Sequence, residues 1–427
     1  MNNYTILCEK LQDELNFYSQ ELIKDLNVPN KKFIYSMISG IVKSNSCHLT
    51  KISRTFNEDI KLKKTVERIS RNLKQFNEIN IVYNNYIYFI KQYLNKNKLF
   101  FVDDSDIAKP NAKSFEYLGD IQDGSLNHQW NKGYGLTEIV TLLNDEPVIT
   151  QSQLWSSKDP NFKSKNKILY ELLDKNISWF NNSNDTYIFD RGFDYSALMK
   201  HLIKQDVKFI IRLKSIRTIT IKNKKYTIEE VLKKYKGKYS FKSFNQKGGT
   251  NNKLSFMKVK LNGINEELTL IISYPENINF ETAYIITNRA INDAHDAKQA
   301  VRDYFSRWKI EEFFKFKKQQ FKLEDIRVRS FNSIQTMNIL INYAITFINI
   351  CKKKCNCLSK SIIAIAQPIK KKVYLNYYRL IEGIKKIFNS IIYKIKEYID
   401  NHIRNINYVL KKYYKEKQLT LFNYKNI

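Results

Sequence analysis

The stretch from Tyr304 to Lys318 constrains this chain more than any other. Tyr304, Arg307, Glu311 and Lys318 follow one another at steps of three, four and seven residues. At about 100° of rotation per residue, a helix places all four within an arc of about 60°. Around them stand Phe305, Trp308, Ile310, Phe313, Phe314 and Phe316. A helix that is apolar around most of its circumference is normally buried. A stripe of Tyr, Arg, Glu and Lys on such a helix is costly unless it meets ions or a charged ligand. A surface helix with an Arg307/Glu311 pair at i, i+4 is the plainer reading of the same spacing. What the rest of the chain offers to Glu311 decides between them.

Two short apolar runs each end in aspartate. Leu99-Phe100-Phe101-Val102 leads into Asp103-Asp104-Ser105, and Thr186-Tyr187-Ile188-Phe189 leads into Asp190-Arg191-Gly192. Continuous apolar runs of this length suit strands buried on both faces. Open α/β sheets place their ligand sites at the carboxyl ends of such strands. A single Asp after a strand is common as a cap or turn residue. Two of them, together with a carboxylate on a buried helix, make a set. Three carboxylates drawn together repel and become stable when cations neutralise them. Oxygen donors without Cys or His select Mg²⁺ or Mn²⁺, and two such ions suit in-line phosphoryl transfer. The doublet leaves open whether Asp103 or Asp104 is the ligand, with Asp103 preferred.

The words around these residues carry a family resemblance. The run Tyr304-Phe305-Ser306-Arg307-Trp308-Lys309-Ile310-Glu311-Glu312-Phe313 resembles the signature helix of DDE transposases from bacterial insertion sequences. Asp103 resembles that family's first aspartate, although Ser105 stands where Thr is more usual. Asp190-Arg191 resembles the second, and Phe209-Ile210-Ile211-Arg212-Leu213-Lys214 resembles the basic strand after it. The resemblance implies that Asp103, Asp190 and Glu311 are the catalytic, metal-binding carboxylates. It implies DNA or phosphate contacts at Tyr304, Arg307, Lys318, Arg191, Arg212 and Lys214. The implied fold is α/β, a ribonuclease H-like catalytic core interrupted by a β-rich insertion, with a helical N-terminal domain and a helical C-terminal tail. The implied function is that of a DNA transposase, binding terminal inverted repeats and catalysing metal-dependent strand cleavage and strand transfer. A related metal-dependent DNA nuclease and a domesticated DNA-binding protein without transposition activity are the alternatives.

Charge agrees with a nucleic-acid partner. The formal net charge is +30 over 427 residues, and proteins that grip many phosphates need such an excess. Because abundant Lys, Asn and Ile also follow from an AT-rich genome, the charge supports DNA without specifying a sequence. Five cysteines form neither a disulfide ladder nor a paired CxxC zinc pattern, which fits a reducing compartment. No leader is recognisable, and the apolar run Ile339 to Ile350, interrupted by Asn342 and Asn349, is short for a bilayer span. The expectation is a cytoplasmic protein, nucleoid-associated when DNA-bound, with no membrane and no organic cofactor.

Patterning divides the chain into a helical N-terminal DNA-binding domain (1–97), a first part of the core (98–214), a β-rich insertion (215–290), a second part of the core (291–353) and a basic helical C-terminal region (354–427). Helices are expected at Phe33–Val42, Leu49–Phe56 and Leu62–Phe76, a trio resembling a helix-turn-helix unit. One continuous helix is expected over Ala294–Lys318, another over Ser333–Lys352, and Gly383 is expected to interrupt the last helical stretch. Because transposition joins two element ends, the expected assembly is a homodimer on paired DNA ends that is monomeric in free solution. The expected DNA partners are double-stranded terminal repeats and target.

Overall fold

The computed structural model describes residues 3–123, 129–245, 248–277, 280–354, 356–367 and 377–390. Five helices come first: α1 (Asn3–Leu22), α2 (Val28–Ser44), α3 (Leu49–Ser53), α4 (Leu62–Gln75) and α5 (Ile79–Lys91). Local chemistry sets their limits. The Asn27 side chain accepts the Asn30 N–H at the start of α2, and Asn45 ends it in the left-handed region at φ 51°, a conformation Asn tolerates well.

The strands β1 (Leu99–Ala108), β2 (Gly119–Asp123), β3 (Gln129–Leu143) and β4 (Glu146–Trp155) follow, then α6 (Lys165–Trp179), β5 (Thr186–Phe189), α7 (Ser196–Lys204) and β6 (Lys208–Arg212). The next stretch holds β7 (Thr218–Ile221), β8 (Lys224–Thr227), α8 (Ile228–Lys234), β9 (Tyr239–Asn245), β10 (Gly248–Leu261), β11 (Leu268–Pro275) and β12 (Ala283–Thr287). Helices α9 (Ala294–Phe305), α10 (Trp308–Gln320), α11 (Phe331–Lys354) and α12 (Asn356–Ile365) complete the named elements, and residues 377–390 are helical too.

Among the described residues, the twelve strands join one mixed sheet, in the order β2-β3-β1-β5-β6-β12-β11-β10-β7-β8, with β4 beside β3 and β9 beside β10. β1, β5 and β6 are parallel, and their other neighbours are antiparallel. Where the parallel strands pair they are buried: Phe100, Phe101, Val102, Tyr187, Ile188, Phe189, Phe209, Ile210 and Ile211 are all closed to solvent, as sheets covered on both faces require.

Several expectations are corrected. β1 does not stop at Val102. Its parallel pairing with β5 ends there, but its antiparallel pairing with β3 continues from Phe101 to Ala108, so Asp103 lies inside a strand. The stretch expected to be β-rich does hold β7 to β12, and it meets the core strands where β12 pairs β6. It also contains a helix, α8, started by a Thr227/Glu230 capping box. The helix expected over Ala294–Lys318 is two helices with a tight turn at Ser306-Arg307. Gly383 interrupts nothing: it lies within a helix, where an added Cβ would fall 2.2 Å from the Ile362 carbonyl of α12. Absence of a side chain there permits close helix packing. The expected C-terminal stretch beyond 390 lies outside the described residues.

α11 is long and apolar enough to cross a bilayer, but 89% of its most apolar window is buried in the protein. It is a core helix. Tyr18 donates to the Tyr343 carbonyl at 2.8 Å, and Tyr86 stacks on Tyr343 while donating to the Ile149 carbonyl of β4. The N-terminal helices are thereby fastened to the sheet through α11.

Candidate active site

Register brings the two aspartates together. Val102 of β1 is level with Phe189 of β5, so Asp103 and Asp190 follow at the same height on adjacent parallel strands. Phe189 is level with Ile211 of β6, which places Arg212 in the same row. Asp190 then turns the chain, its Oδ1 accepting the Gly192 N–H at 2.7 Å.

The doublet is resolved by alternation. Successive side chains on a strand face opposite ways, and Asp103 is opposite Glu138 of β3 while Asp104 is opposite Thr137. Asp104 accepts from the Thr137 hydroxyl at 2.5 Å and pairs with Lys165 at 3.0 Å. Asp103 turns to the other side and meets Arg307 Nη1 at 2.7 Å. The same guanidinium reaches Glu311 Oε1 at 2.5 Å through Nη2. Arg307 therefore bridges the first aspartate and the helix glutamate.

The turn between α9 and α10 aims that arginine. Arg307 N–H donates to the Tyr304 carbonyl and Ile310 N–H to the Arg307 carbonyl, both at 3.0 Å, a tightening of the helix to three-residue spacing. Ser306 Oγ donates to the Asp303 carbonyl at 2.6 Å. Asp303 is itself held by Arg289 at 2.6 Å and Gln299 at 2.7 Å.

Burial pushes the Asp103 carboxyl up to about 7; Arg307 opposes this, and the charges of Asp190 and Asp104 add to it. Burial works against the charge on Arg307, but Asp103 first and Glu311 next outweigh it and hold the guanidinium protonated. Burial also raises Tyr304, with Arg307 and Arg212 pulling the other way. Arg212 bonds Glu281 at 2.8 Å, and Tyr304 and Glu281 together outweigh its desolvation.

Tyr304, Arg307, Glu311 and Arg212 line one cleft of about 290 Å³, walled on its far side by Ser243, Thr250 and Asn252. Lys318, Arg191 and Lys214 are not part of its lining. Lys318 is tied to Asp106 at 2.5 Å and Glu324 at 2.9 Å. Arg191 and Lys214 are exposed.

Sequence reasoning missed the neighbouring pair. Lys317 Nζ meets Glu138 Oε2 at 2.6 Å, with side-chain exposures of 1% and 0%. Ser152 and Asn342 donate to Glu138 Oε1 at 2.6 and 2.9 Å, and Asn338 accepts from Lys317 at 3.1 Å. The available signal was a lone Glu in an apolar strand, with Asn338 and Asn342 four residues apart in an apolar helix.

Asp103, Asp190 and Glu311 do not form a group whose donor atoms all lie within 4.8 Å of one another. Among the described residues, the group whose donor atoms all lie within 4.8 Å is Asp293, His295 and Asp296, exposed for the most part. Its aspartates serve the start of α9 instead. Asp293 caps that helix by accepting the Asp296 N–H, and Asp296 accepts the Asn292 N–H. At the acidic site repulsion is relieved differently, by Arg307 standing between Asp103 and Glu311.

A family model described as the transposase DDE domain matches residues 96–347, more than half of the chain and all of this site. The chain belongs to the DDE transposase family. No curated protein sequence compared with it matches. Among solved structures, a piggyBac transposase synaptic complex with hairpin DNA, determined by cryo-EM, is similar at 13% identity. That likeness covers 93% of this chain and 82% of that one, with a TM-score of 0.46. Within the DDE domain of this chain, β1, the turn after β5, the end of β6, the end of α9 and the start of α10 supply the residues of the site.

Proposed function

We propose that this chain is the DNA transposase of an insertion sequence, which binds terminal inverted repeats and catalyses metal-dependent strand cleavage and strand transfer. One observation carries the reading: Asp103 and Asp190 stand level on adjacent parallel strands, and Glu311 is joined to Asp103 through Arg307. Membership of the DDE family supports it. The order β4-β3-β1-β5-β6, antiparallel on one side of β1 and parallel on the other, supports a ribonuclease H-like core.

The donor set fits divalent cations. All three side chains offer oxygen only, as Mg²⁺ and Mn²⁺ prefer, and a cationic group already sits between two of them. Asp103, Asp190 and Glu311 would hold the metal. Bound there, two ions would activate the attacking oxygen and neutralise charge on the leaving one. The protein's own residues do the rest. Arg307, released from its bridge, has a planar fork suited to phosphate oxygens. Tyr304 and Arg212 present a hydroxyl and a second guanidinium to the same cleft. Glu138 and Lys317 fix α10 against β3, which sets the height of Glu311 relative to Asp103.

The reading places residues 1–97 and the basic C-terminal region on DNA, a homodimer on paired ends, and the protein in the cytoplasm with the nucleoid. The test is cleavage of a duplex carrying the element end, with Mg²⁺ or Mn²⁺ supplied. Cutting at the end boundary, followed by joining to a second duplex, is the expected result. Random nicking without joining would reduce the protein to a nuclease.

A further inference from the structure

A second concave surface lies outside the acidic site. It is a groove of about 880 Å³ between the start of α3, one face of α4 and the segment 327–330 that leads into α11. Four basic side chains line it: Arg71 and Lys74 from α4, Arg327 and Arg329 from the opposite wall. All four are exposed, and among the described residues none forms an ion pair. Glu67, the carboxylate in the lining, lies within 4.0 Å of Lys63 and Lys64. His48 feels the surplus: burial, then Arg327 and Lys51, lower its pKa.

The walls are joined. Asn332 donates to the Lys74 and Phe76 carbonyls at 3.1 and 2.9 Å, tying the start of α11 to the end of α4. The Cys47 N–H donates to the Phe321 carbonyl at 2.9 Å, where α10 ends. Lys109 donates to the Ile326 carbonyl at 2.7 Å, and the Glu116 N–H to the Arg329 carbonyl at 3.0 Å. The groove is thus preformed, and one wall is continuous with the helix that carries Glu311.

We propose that this groove is a clamp for the phosphate backbone of double-stranded DNA, built jointly by α4 and the Arg327–Arg329 segment. The chemistry is complementary: unpaired Arg and Lys with hydroxyls from Thr50 and Ser70 are the groups that contact phosphate oxygens. The lining contains no Phe, Tyr or Trp. Single strands are held largely by stacking on such rings, so a duplex is the occupant the surface favours. The proposal rests on the transposase reading for the identity of the polyanion. It goes beyond that reading in assigning contacts to residues on both sides of the acidic helix.

The test measures binding of the full chain to a labelled 30-base-pair duplex, of about three helical turns, by fluorescence anisotropy across a potassium chloride series. Each phosphate contact removed lowers the slope of log affinity against log salt by about 0.9. Changing Arg71, Lys74, Arg327 and Arg329 together to Ala is expected to lower it by about 3 to 4, with weaker binding at fixed salt. Each pair changed alone should give about half of that loss. Arg327→Lys with Arg329→Lys should retain the slope, since charge is kept. Lys200→Ala with Lys204→Ala, both exposed on α7 and outside the regions placed on DNA, is the control for lost charge at another place and should change the slope little. An unchanged slope in the fourfold variant, or an equal loss in the control, overturns the clamp. Loss of single-strand binding with duplex binding intact overturns the choice of duplex. Failure of the unaltered chain to bind duplex at all overturns the transposase reading itself, a different outcome from failure of the variants. Circular dichroism verifies that these exposed substitutions leave the fold intact.

Discussion

Arg307 and Lys317 stand at opposite ends of α10 and carry positive charge to carboxylates that share a face of the β1–β3 ladder, but their surroundings differ. Lys317 and Glu138 are closed to water, and Asn338, Asn342 and Ser152 complete their hydrogen bonds. Arg307 and Glu311 line an open cleft, and Glu311 is 43% exposed. The closed pair has no route to a new partner without a large desolvation penalty, so it serves as a fixed point. The open bridge can exchange Arg307 for another cation at modest cost. Similar residue types on one helix therefore take opposite parts, one setting geometry and the other, on the proposed function, meeting ligand.

The largest effect should come from the open cluster. Asp190→Asn and Glu311→Gln are each expected to reduce strand cleavage to background in a gel assay, with duplex affinity within about twofold of normal, since phosphate binding is carried by Lys and Arg. Normal cleavage by either would remove the cluster from the chemistry and end the comparison.

Next comes the closed pair. Glu138→Ala strands a buried ammonium and is expected to cost about 3 to 5 kcal/mol in urea unfolding. Glu138→Met combined with Lys317→Met should recover most of that loss, because an apolar replacement leaves no charge unpaired. A loss below about 1 kcal/mol in the single variant would show that α10 is held elsewhere.

Arg307→Ala sharpens the contrast. Cleavage should slow by about ten- to a hundredfold, the worth of one charge-assisted hydrogen bond. Mn²⁺ affinity, read by calorimetry, should not fall. A fall as large as that of Glu311→Gln would place Arg307 among the groups that hold the site together.

The smallest effect belongs to the other face of β1. Asp104→Asn should leave cleavage within a few-fold of normal and cost less than about 1 kcal/mol, as a half-exposed pair with Lys165 implies. If Asp104→Asn is inactive and Asp103→Asn active, the assignment of faces is reversed.

The apolar strands and the polar stripe were legible because both are periodic signals carried by neighbours along the chain. Leu99–Val102 and Thr186–Phe189 read directly as buried runs, and the stretch 215–290, expected to be β-rich, holds β7 to β12. The turn at Ser306-Arg307 was not legible, since no Pro or Gly marks it and its cause is tertiary, the anchoring of Asp303 by Arg289 and Gln299. The continuation of β1 through Asp103 was hidden for a similar reason: polar residues there are paired by β3, which is far along the chain. Lys318 shared the stripe by spacing, but Asp106 and Glu324 hold it outside the cleft. Its neighbour Lys317 looked like one more surface lysine in a basic run, and only the third dimension makes it part of the core.

The bridge from Arg307 to Asp103 spans 204 residues of sequence, and this has a consequence for how the protein is made. β1 emerges from the ribosome early, but its parallel partner β5 and the helix bearing Glu311 emerge much later. Pairings of such long range raise the contact order and slow folding. Until they form, β1 has an unpaired edge of the kind that favours association with other chains. A nascent chain that stops before α10 has both strand aspartates but no helix glutamate and no bridging arginine. On the proposed function, cutting capacity would therefore need the chain through α10, and truncated products should be a burden on solubility rather than a hazard to DNA.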